Sequence, residues 1–440
     1  MPVVRHWFWR SALPRYAATL WGFVVFMPVG VTYAAATLLF MAMLACGRWH
    51  ERAARLRASP IFWPWVAYVA WTLVVLAIRP HYPQTGENLA HGLRIALTMA
   101  MAVMLTREEA VGALRGFIVV AAISVLLIVL KHTVGLPDLQ IWRSVTIMTG
   151  NKSINNALLF ALLGATAAVF GLAYLHRQRR WFGAHGAVAA FAMTLGAVLL
   201  VRLALPSRTS LIGLALAVAA ACIHQWRKRW DRIALALIVV AAVVALGVWK
   251  IPAVQQQQFA SGLHELEQAQ AGTVSEDSWV SRFYMYRITT QMMLEKPVAG
   301  WGIGAWTSQW KARAPAVISY KNMPHDDFLW MGAQAGIPGF VVLLAILLAG
   351  LWGGWRRADL AGRLGFVAML TLLTATSVNS ALRDAQIGLA LPWIAFVYLR
   401  LSQEAGHPWS KVLPGTLRPA SGEDAAAAGL SAGAQPPRPL

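Results

Sequence analysis

Apolar residues in this chain fall in continuous runs of about 15 to 22, separated by short polar breaks. Runs of that length and continuity predict membrane-spanning helices. A membrane β-barrel would alternate apolar and polar positions over shorter segments, which is a different pattern. The runs lie at residues 16–30, 32–47, 61–79, 92–105, 116–132, 154–175, 184–203, 209–224, 233–250, 328–352, 364–382 and 386–401, about twelve spans. Pro28-Val29-Gly30 marks either a turn between the first two or a kink within one. The first apolar stretch continues to about residue 47, too long for a simple signal peptide, so it is read as retained helices.

Between the spans there is one large loop, residues 251–327. Within it, 278–294 has the spacing of an amphipathic helix, with Trp279, Phe283, Tyr286 and Met293 as its apolar candidates. From about residue 404 the chain is rich in Ala, Gly, Pro and Ser and has no core-forming pattern, which predicts disorder. The expected organisation is nine spans over 1–250, the loop over 251–327, three spans over 328–401 and a tail over 402–440. No internal repeat stands out.

Composition agrees with a membrane protein. Of 440 residues, 58% are hydrophobic and only 13% charged, against roughly a quarter in soluble domains. The formal net charge of +20 would suggest nucleic acid in a soluble protein, but no basic domain stands apart from the spans. Arg48/Arg52/Arg55/Arg57, Arg177/Arg179/Arg180, Arg227/Lys228/Arg229/Arg232 and Arg356/Arg357/Arg363 instead follow the second, sixth, eighth and tenth spans. All four loops fall on one side of a twelve-span count. The positive-inside bias makes that side cytoplasmic, with both termini there. Two cysteines, Cys46 and Cys222, imply neither a disulfide framework nor a cysteine metal site.

The other side is basic too. Arg79, Arg94, Arg143, Lys152, Arg202, Arg208, Arg282, Arg287, Lys311, Arg313, Lys321 and Arg383 all map there. Each could be a helix-end cation snorkelling to headgroups. Together they suggest an anionic ligand such as a phosphate or pyrophosphate. Arg208 stands in Pro206-Ser207-Arg208-Thr209-Ser210, a helix start where free backbone N–H groups also favour anions. Arg282 and Arg287 are five residues apart on the loop helix, about 500° of rotation, so they point in different directions. Pro297 to Gly304 reads as a structural turn that fixes that helix, because no strand precedes it and no Lys-Ser/Thr closes it.

Pro324-His325-Asp326-Asp327 is a polar cluster at the mouth of the tenth span. An ionisable group near membrane depth is a functional-site hypothesis by default. If the helix starts near Pro324, His325 lies in its first turn, where the dipole favours carboxylates and a neutral imidazole. It would then suit a general base. His325, Gly332 and Gly336 would share one small face open to a neighbouring helix. The alternative is an interfacial histidine that only hydrogen-bonds a neighbour. Asp326-Asp327, Glu276-Asp277 and Glu265-x-Glu267 are the acidic pairs a metal could use, and they read as helix-start or solvated charges.

Taken together, Ser207-Arg208, Ser281-Arg282 with Tyr286, the Pro297–Gly304 turn and His325…Leu329…Gly336…Gly339 resemble the O-antigen ligase and polymerase superfamily of bacterial membrane glycosyltransferases. The likeness covers roughly residues 16–401, and the large loop before the His segment resembles the lipopolysaccharide ligase branch. It implies an all-α polytopic protein of GT-C type in the bacterial inner membrane, with its active site facing the periplasm. It also implies transfer of O-antigen polysaccharide from undecaprenyl pyrophosphate to a lipid A–core hydroxyl, with inversion and without metal or other cofactor. By the same resemblance Arg208 and Arg282 hold the pyrophosphate and His325 activates the acceptor. Arg287 and Asp326 are further substrate-binding candidates. The chain departs from the family pattern at Asp326, where Asn is frequent, and at Gln334, where Glu is common. A polymerase or protein-directed oligosaccharyltransferase would share the donor. A transporter would show inverted repeats, and none is visible.

Overall fold

A computed structural model describes residues 2–137, 139–147, 150–176, 181–205, 207–235, 238, 267, 274–275 and 278–404. These residues are helical, with no strand among them. The helices are α1 (Pro2–Phe23), α2 (Val29–Cys46), α3 (Trp49–Ala58), α4 (Phe62–Ile78), α5 (Thr85–Met104), α6 (Arg107–Thr133), α7 (Gln140–Thr146) and α8 (Gly150–His176). There follow α9 (Trp181–Leu203), α10 (Arg208–Gln225), α11 (Ser278–Glu295), α12 (Ala305–Arg313), a 3-10 turn (Ala316–Ile318), α13 (Asp327–Arg356), α14 (Leu360–Val378) and α15 (Ile387–Ser402).

Among the described residues six helices are long and apolar enough to cross a membrane: α2, α6, α13, α14 and most of α8 and α9. The bent pair α3–α4, with 100° between its axes, makes up to seven. Helices α10 and α15 are apolar but shorter. The chain is a polytopic helical membrane protein. The expected span at 16–30 straddles a break, because α1 stops at Phe23 and Pro28 caps α2. The expected span at 92–105 is the C-terminal part of the longer α5, which also takes in Glu87 and His91. Most of the expected span at 233–250, most of the loop up to 277 and the tail beyond 404 lie outside the described residues.

Small residues set the packing, as expected where lipid removes the hydrophobic drive between helices. A side chain at Gly22 or Gly116 would collide with the backbone of the partner helix at Ala113 or Thr19, so α1 and α6 touch main chain to main chain. Helices α8 and α9 run antiparallel: Gly164 meets Ala197, Gly171 meets Phe191, and Gly186 meets Tyr174. Helices α10 and α14 approach where a Cβ on Gly213 would lie 3.8 Å from Thr374. Trp21 stacks on Trp393 with ring centroids 3.9 Å apart.

One end of the bundle is clamped by a buried ion pair, Arg52–Glu109 at 2.7 Å. Glu109 also closes a capping box with Thr106 at the start of α6. Arg400 Nε donates to Leu105 O at 2.7 Å in the same place. Arg52, read in sequence as one of a run of loop cations, is therefore a buried structural residue.

The break in α13 shapes the opposite half. Gly336 sits at φ 72°, ψ −174°, outside the helical region, and Pro338 follows. Pro338 has no N–H for the Gln334 carbonyl, and Ile337 N turns away to Pro297 O at 2.7 Å. In a bilayer the freed groups need internal partners. The Pro297–Gly304 turn supplies them: Trp301 N donates to Ala333 O and Gly302 N to Gln334 O, each at 2.9 Å. Trp71 Nε1 donates to Ala335 O at 2.8 Å. Gly304 N donates to the side-chain oxygen of buried Gln334. Thr85 Oγ1 donates to Ile303 O at 2.7 Å, tying the turn to α5.

Helix α11 packs on α13, and its Ser281, Met285, Ile288, Thr289 and Met292 are buried at helical spacing. Trp279, expected on the apolar face, is 41% exposed. The buried face follows the close approach of Met293 to Gly332 rather than the bulkiest residues.

Gly336→Ala should destabilise the protein sharply. Its positive φ alone costs a side-chain-bearing residue about 1–2 kcal/mol, and the new Cβ would lie 2.5 Å from both Pro297 O and Val298 O. Thermal unfolding in detergent measures this, and an unchanged midpoint would contradict the role given to the break.

Candidate active site at the start of α13

Helix α13 begins at Asp327, not at Pro324. Asp326 is its N-cap, accepting from Leu329 N at 2.8 Å. His325 precedes the cap with φ 55°, a left-handed conformation uncommon outside glycine. The expectation that His325, Gly332 and Gly336 share one helical face is therefore corrected. His325 lies before the helix, Gly336 leaves it, and only Gly332 lets a neighbouring helix in. Tyr286 of α11 donates its hydroxyl to His325 O at 3.2 Å and holds the left-handed turn. Local strain of this kind persists where surrounding contacts over-determine it.

Asp327 supplies the strongest anchor. It is 1% exposed. Its Oδ2 accepts from Leu382 N at 2.7 Å, and its Oδ1 accepts from Arg383 N at 3.3 Å. The loop between α14 and α15 is thereby fastened to the start of α13. Arg94 grips the other side of that loop, donating to the carbonyls of Leu382, Arg383 and Asp384 at 2.7, 2.9 and 3.2 Å. Arg383 lays its guanidinium over the Trp330 ring, 5.9 Å from the centroid. Asp384 Oδ1 caps α15 through Gln386 N at 2.9 Å and accepts from Asn155 Nδ2 of α8 at 3.1 Å.

These contacts enclose a polar cavity of about 10 Å³ between His325, Asn155, Asn379, Ser380 and Asp384. His325 is half-buried. Burial is the chief cause that lowers its pKa to about 4, and the positive charge of Arg282 adds to it, followed by Lys321 and Arg383. The Asn379 side chain acts in the opposite sense. The imidazole is thus neutral at neutral pH. Burial pushes Asp326 up to about 6.

The sequence candidates are placed unevenly. Arg282 is half-buried and within electrostatic reach of both His325 and Tyr286. Arg287 is exposed, as expected for a residue five positions on. Arg208 opens α10 as predicted, after Ser207, whose hydroxyl accepts from Ser210 N at 3.2 Å. The Arg208 side chain is outside the described residues, but its place in the bundle is clear. Helix α10 runs antiparallel to α14, with Gly213 beside Thr374 and the His224 ring 5.3 Å from that of Phe366, which sets the start of α10 at the His325 end. Asp326, expected to meet substrate, has a capping task.

The shared basic surface is smaller than expected. Arg94 is spent on backbone carbonyls, Lys152 donates to Phe26 O and Met27 O at 3.3 and 3.2 Å, and Arg313 pairs with Glu295 at 2.7 Å. These three are internal ties. Asn155, Asn379, Ser380 and Asp384 were missed in the sequence. The signal that could have found them is the polar run Asn379-Ser380 with Arg383-Asp384, which separates two spans with hardly any loop.

Residues 191–344 match the family model described as O-antigen ligase. The matched segment includes Arg208, Arg282, Arg287, His325 and Asp326. A search of curated proteins gives no match.

Removing the two carboxylates of the site should have unequal effects. Asp327→Ala leaves two buried N–H groups unpaired, at about 1–3 kcal/mol each. Asp326→Ala loses one cap, about 1 kcal/mol. Thermal unfolding of the two variants in one detergent checks the order, and a larger loss for Asp326→Ala would overturn the anchor assigned to Asp327.

Proposed function

We propose that this chain belongs to the O-antigen ligase superfamily, whose model its residues 191–344 match, and that it transfers a polysaccharide from an undecaprenyl-pyrophosphate carrier to a sugar hydroxyl of lipid A–core. The observation that carries the reading is a neutral His325 held within the field of Arg282 at one end of a helical membrane bundle. The acceptor O–H bond breaks as its oxygen attacks the anomeric carbon, and His325 takes the proton. The anomeric C–O bond to the pyrophosphate breaks on the opposite face, so configuration inverts and undecaprenyl pyrophosphate leaves with the electron pair. Arg282, and Arg208 at the N-terminus of α10, offset the charge that builds on the leaving group. Arg287 lies on the exposed side of α11, where it suits the glycan better than the pyrophosphate. The fold is assigned to the GT-C type, and the chain needs no metal in this scheme.

The site faces the periplasm in this reading, in the bacterial inner membrane. Support comes from the basic segments at the far ends of the same helices. Helices α10 and α13 begin at the His325 end and close on Arg227–Arg232 and Arg356–Arg357. A positive-inside bias makes those ends cytoplasmic, as it does both termini.

The acid limb of kcat/KM should report His325 in the free enzyme, near 4, well below an ordinary histidine. Bound pyrophosphate cancels part of the Arg282 field, so the limb of kcat should lie at higher pH than that of kcat/KM. Arg282→Gln removes a charge that lowers the imidazole pKa, and the kcat/KM limb should therefore move up in pH while its plateau falls. A limb that stays in place in Arg282→Gln would contradict the coupling.

Reconstitution in proteoliposomes with a lipid-linked polysaccharide, offered either lipid A–core or a second lipid-linked repeat, tests the acceptor. Product on lipid A–core alone is expected. Lengthened lipid-linked chains alone would make the protein a polymerase.

A further inference from the structure

Two polar atoms at the cavity beside His325 are buried and without a protein partner: Nδ1 of the imidazole and Oγ of Ser380. Ser380 is 2% exposed. Native structures leave few such groups unpaired, and two on one small cavity call for a common explanation. The cavity measures about 10 Å³, close to the least that holds one water. Its remaining polar walls are Asn155, Asn379 and Asp384, so a water there has two to four partners within reach.

The Asn379 side chain reaches the ring and favours its charged form, yet Nδ1 keeps no hydrogen-bond partner in the protein. Tyr286 is committed to the His325 carbonyl, Asp326 to the α13 cap, and Asp327 to Leu382 and Arg383. The charged groups that face the ring are Arg282 from α11, Lys321 from the preceding turn, Arg383 from the α14–α15 loop and Asp384 across the cavity. The three cations present no acceptor to an imidazole N–H. A neutral imidazole carries one proton, and the hydrogen bond at one nitrogen decides which nitrogen is left to accept.

We propose that the cavity binds one ordered water which accepts from His325 Nδ1–H and donates to Ser380 Oγ, making Ser380 a positioning residue that leaves Nε2 free to take the acceptor's proton. This rests on His325 being the general base. The arrangement follows the logic of base and orienter in hydrolytic triads, with a water and a hydroxyl as the orienting group. It places the functional contribution of Ser380 in the tautomer of the histidine, not in substrate contact.

The test uses the full chain, 15N-histidine labelled, in nanodiscs with lipid-linked polysaccharide and lipid A–core. His325→Gln assigns the His325 signals and separately checks the base. Wild type should show a protonated Nδ1 and an unprotonated Nε2 at pH 7. Ser380→Ala should mix the two tautomers, and Ser380→Val, which fills the cavity, should mix them further. In both, kcat should fall about 10- to 100-fold with KM little changed. Losing the acceptor for Nδ1–H destabilises the imidazolium, so the acid limb of kcat/KM should move to lower pH. Thermal midpoints within a few degrees of wild type exclude a folding defect, and Ser380→Thr, which keeps the hydroxyl, should retain more activity than Ser380→Val. A wild-type histidine protonated at Nε2 would overturn the proposal. So would variants whose tautomer and kcat match wild type while His325→Gln is inactive. An active His325→Gln would instead remove the general-base reading itself.

Discussion

The break in α13 is the constraint on which the site depends. A helix that leaves its hydrogen-bond ladder inside a membrane must repay every freed group from within the protein. Here the partners for Ala333, Gln334, Ala335 and Ile337 are Trp301, Gly302, Trp71 and Pro297. Because those bonds are directional, the half-helix Asp327–Ala335 has one position relative to the 297–304 turn. That turn is in turn fixed on α5 through Thr85. His325 stands two residues before this half-helix, and its place is inherited from the break.

A second layer of ties works at the other end of the half-helix. Asp327 captures two backbone N–H groups of the α14–α15 loop, and Arg94 captures three of its carbonyls. Both side chains are buried, where hydrogen bonds are worth more and unmade ones cost more. The loop can therefore bring Asn379, Ser380 and Asp384 to the imidazole without secondary structure of its own. Polar residues that look in sequence like a generic anion-binding surface divide into two tasks here. Arg94, Lys152 and Arg313 hold the frame, while Arg282, Lys321 and Arg383 set the electrostatics of His325.

Much of this is legible in the residues. Continuous apolar runs give the helical membrane class. Ser207-Arg208 marks a helix start that is present, and Pro297–Gly304 is the structural turn that its proline and three glycines suggest. Periodicity fails where tertiary contacts override it. The helix rule carries through Gly336 because nothing local reveals that Trp301 and Trp71 will accept the burden of a break. The same rule takes Pro324 as a helix start, whereas the Asp326 cap and the Tyr286 bond put His325 outside it. Trp279 and Phe283 look like the apolar face of α11 by size, but the face is chosen by the small Gly332 opposite. Asn379 to Asp384 went unseen as a group because Asn379 and Ser380 fall inside the expected span 364–382, which leaves Arg383-Asp384 looking like a bare connection.

The central claim is that His325 removes the acceptor's proton, and chemical rescue addresses it most directly. Single-turnover transfer would be followed for wild type and His325→Ala in proteoliposomes, with and without free imidazole at pH 7. The account predicts a loss of about 10²–10⁴-fold in the variant and partial recovery that saturates with imidazole. Transfer by His325→Ala at the wild-type rate without imidazole would contradict it.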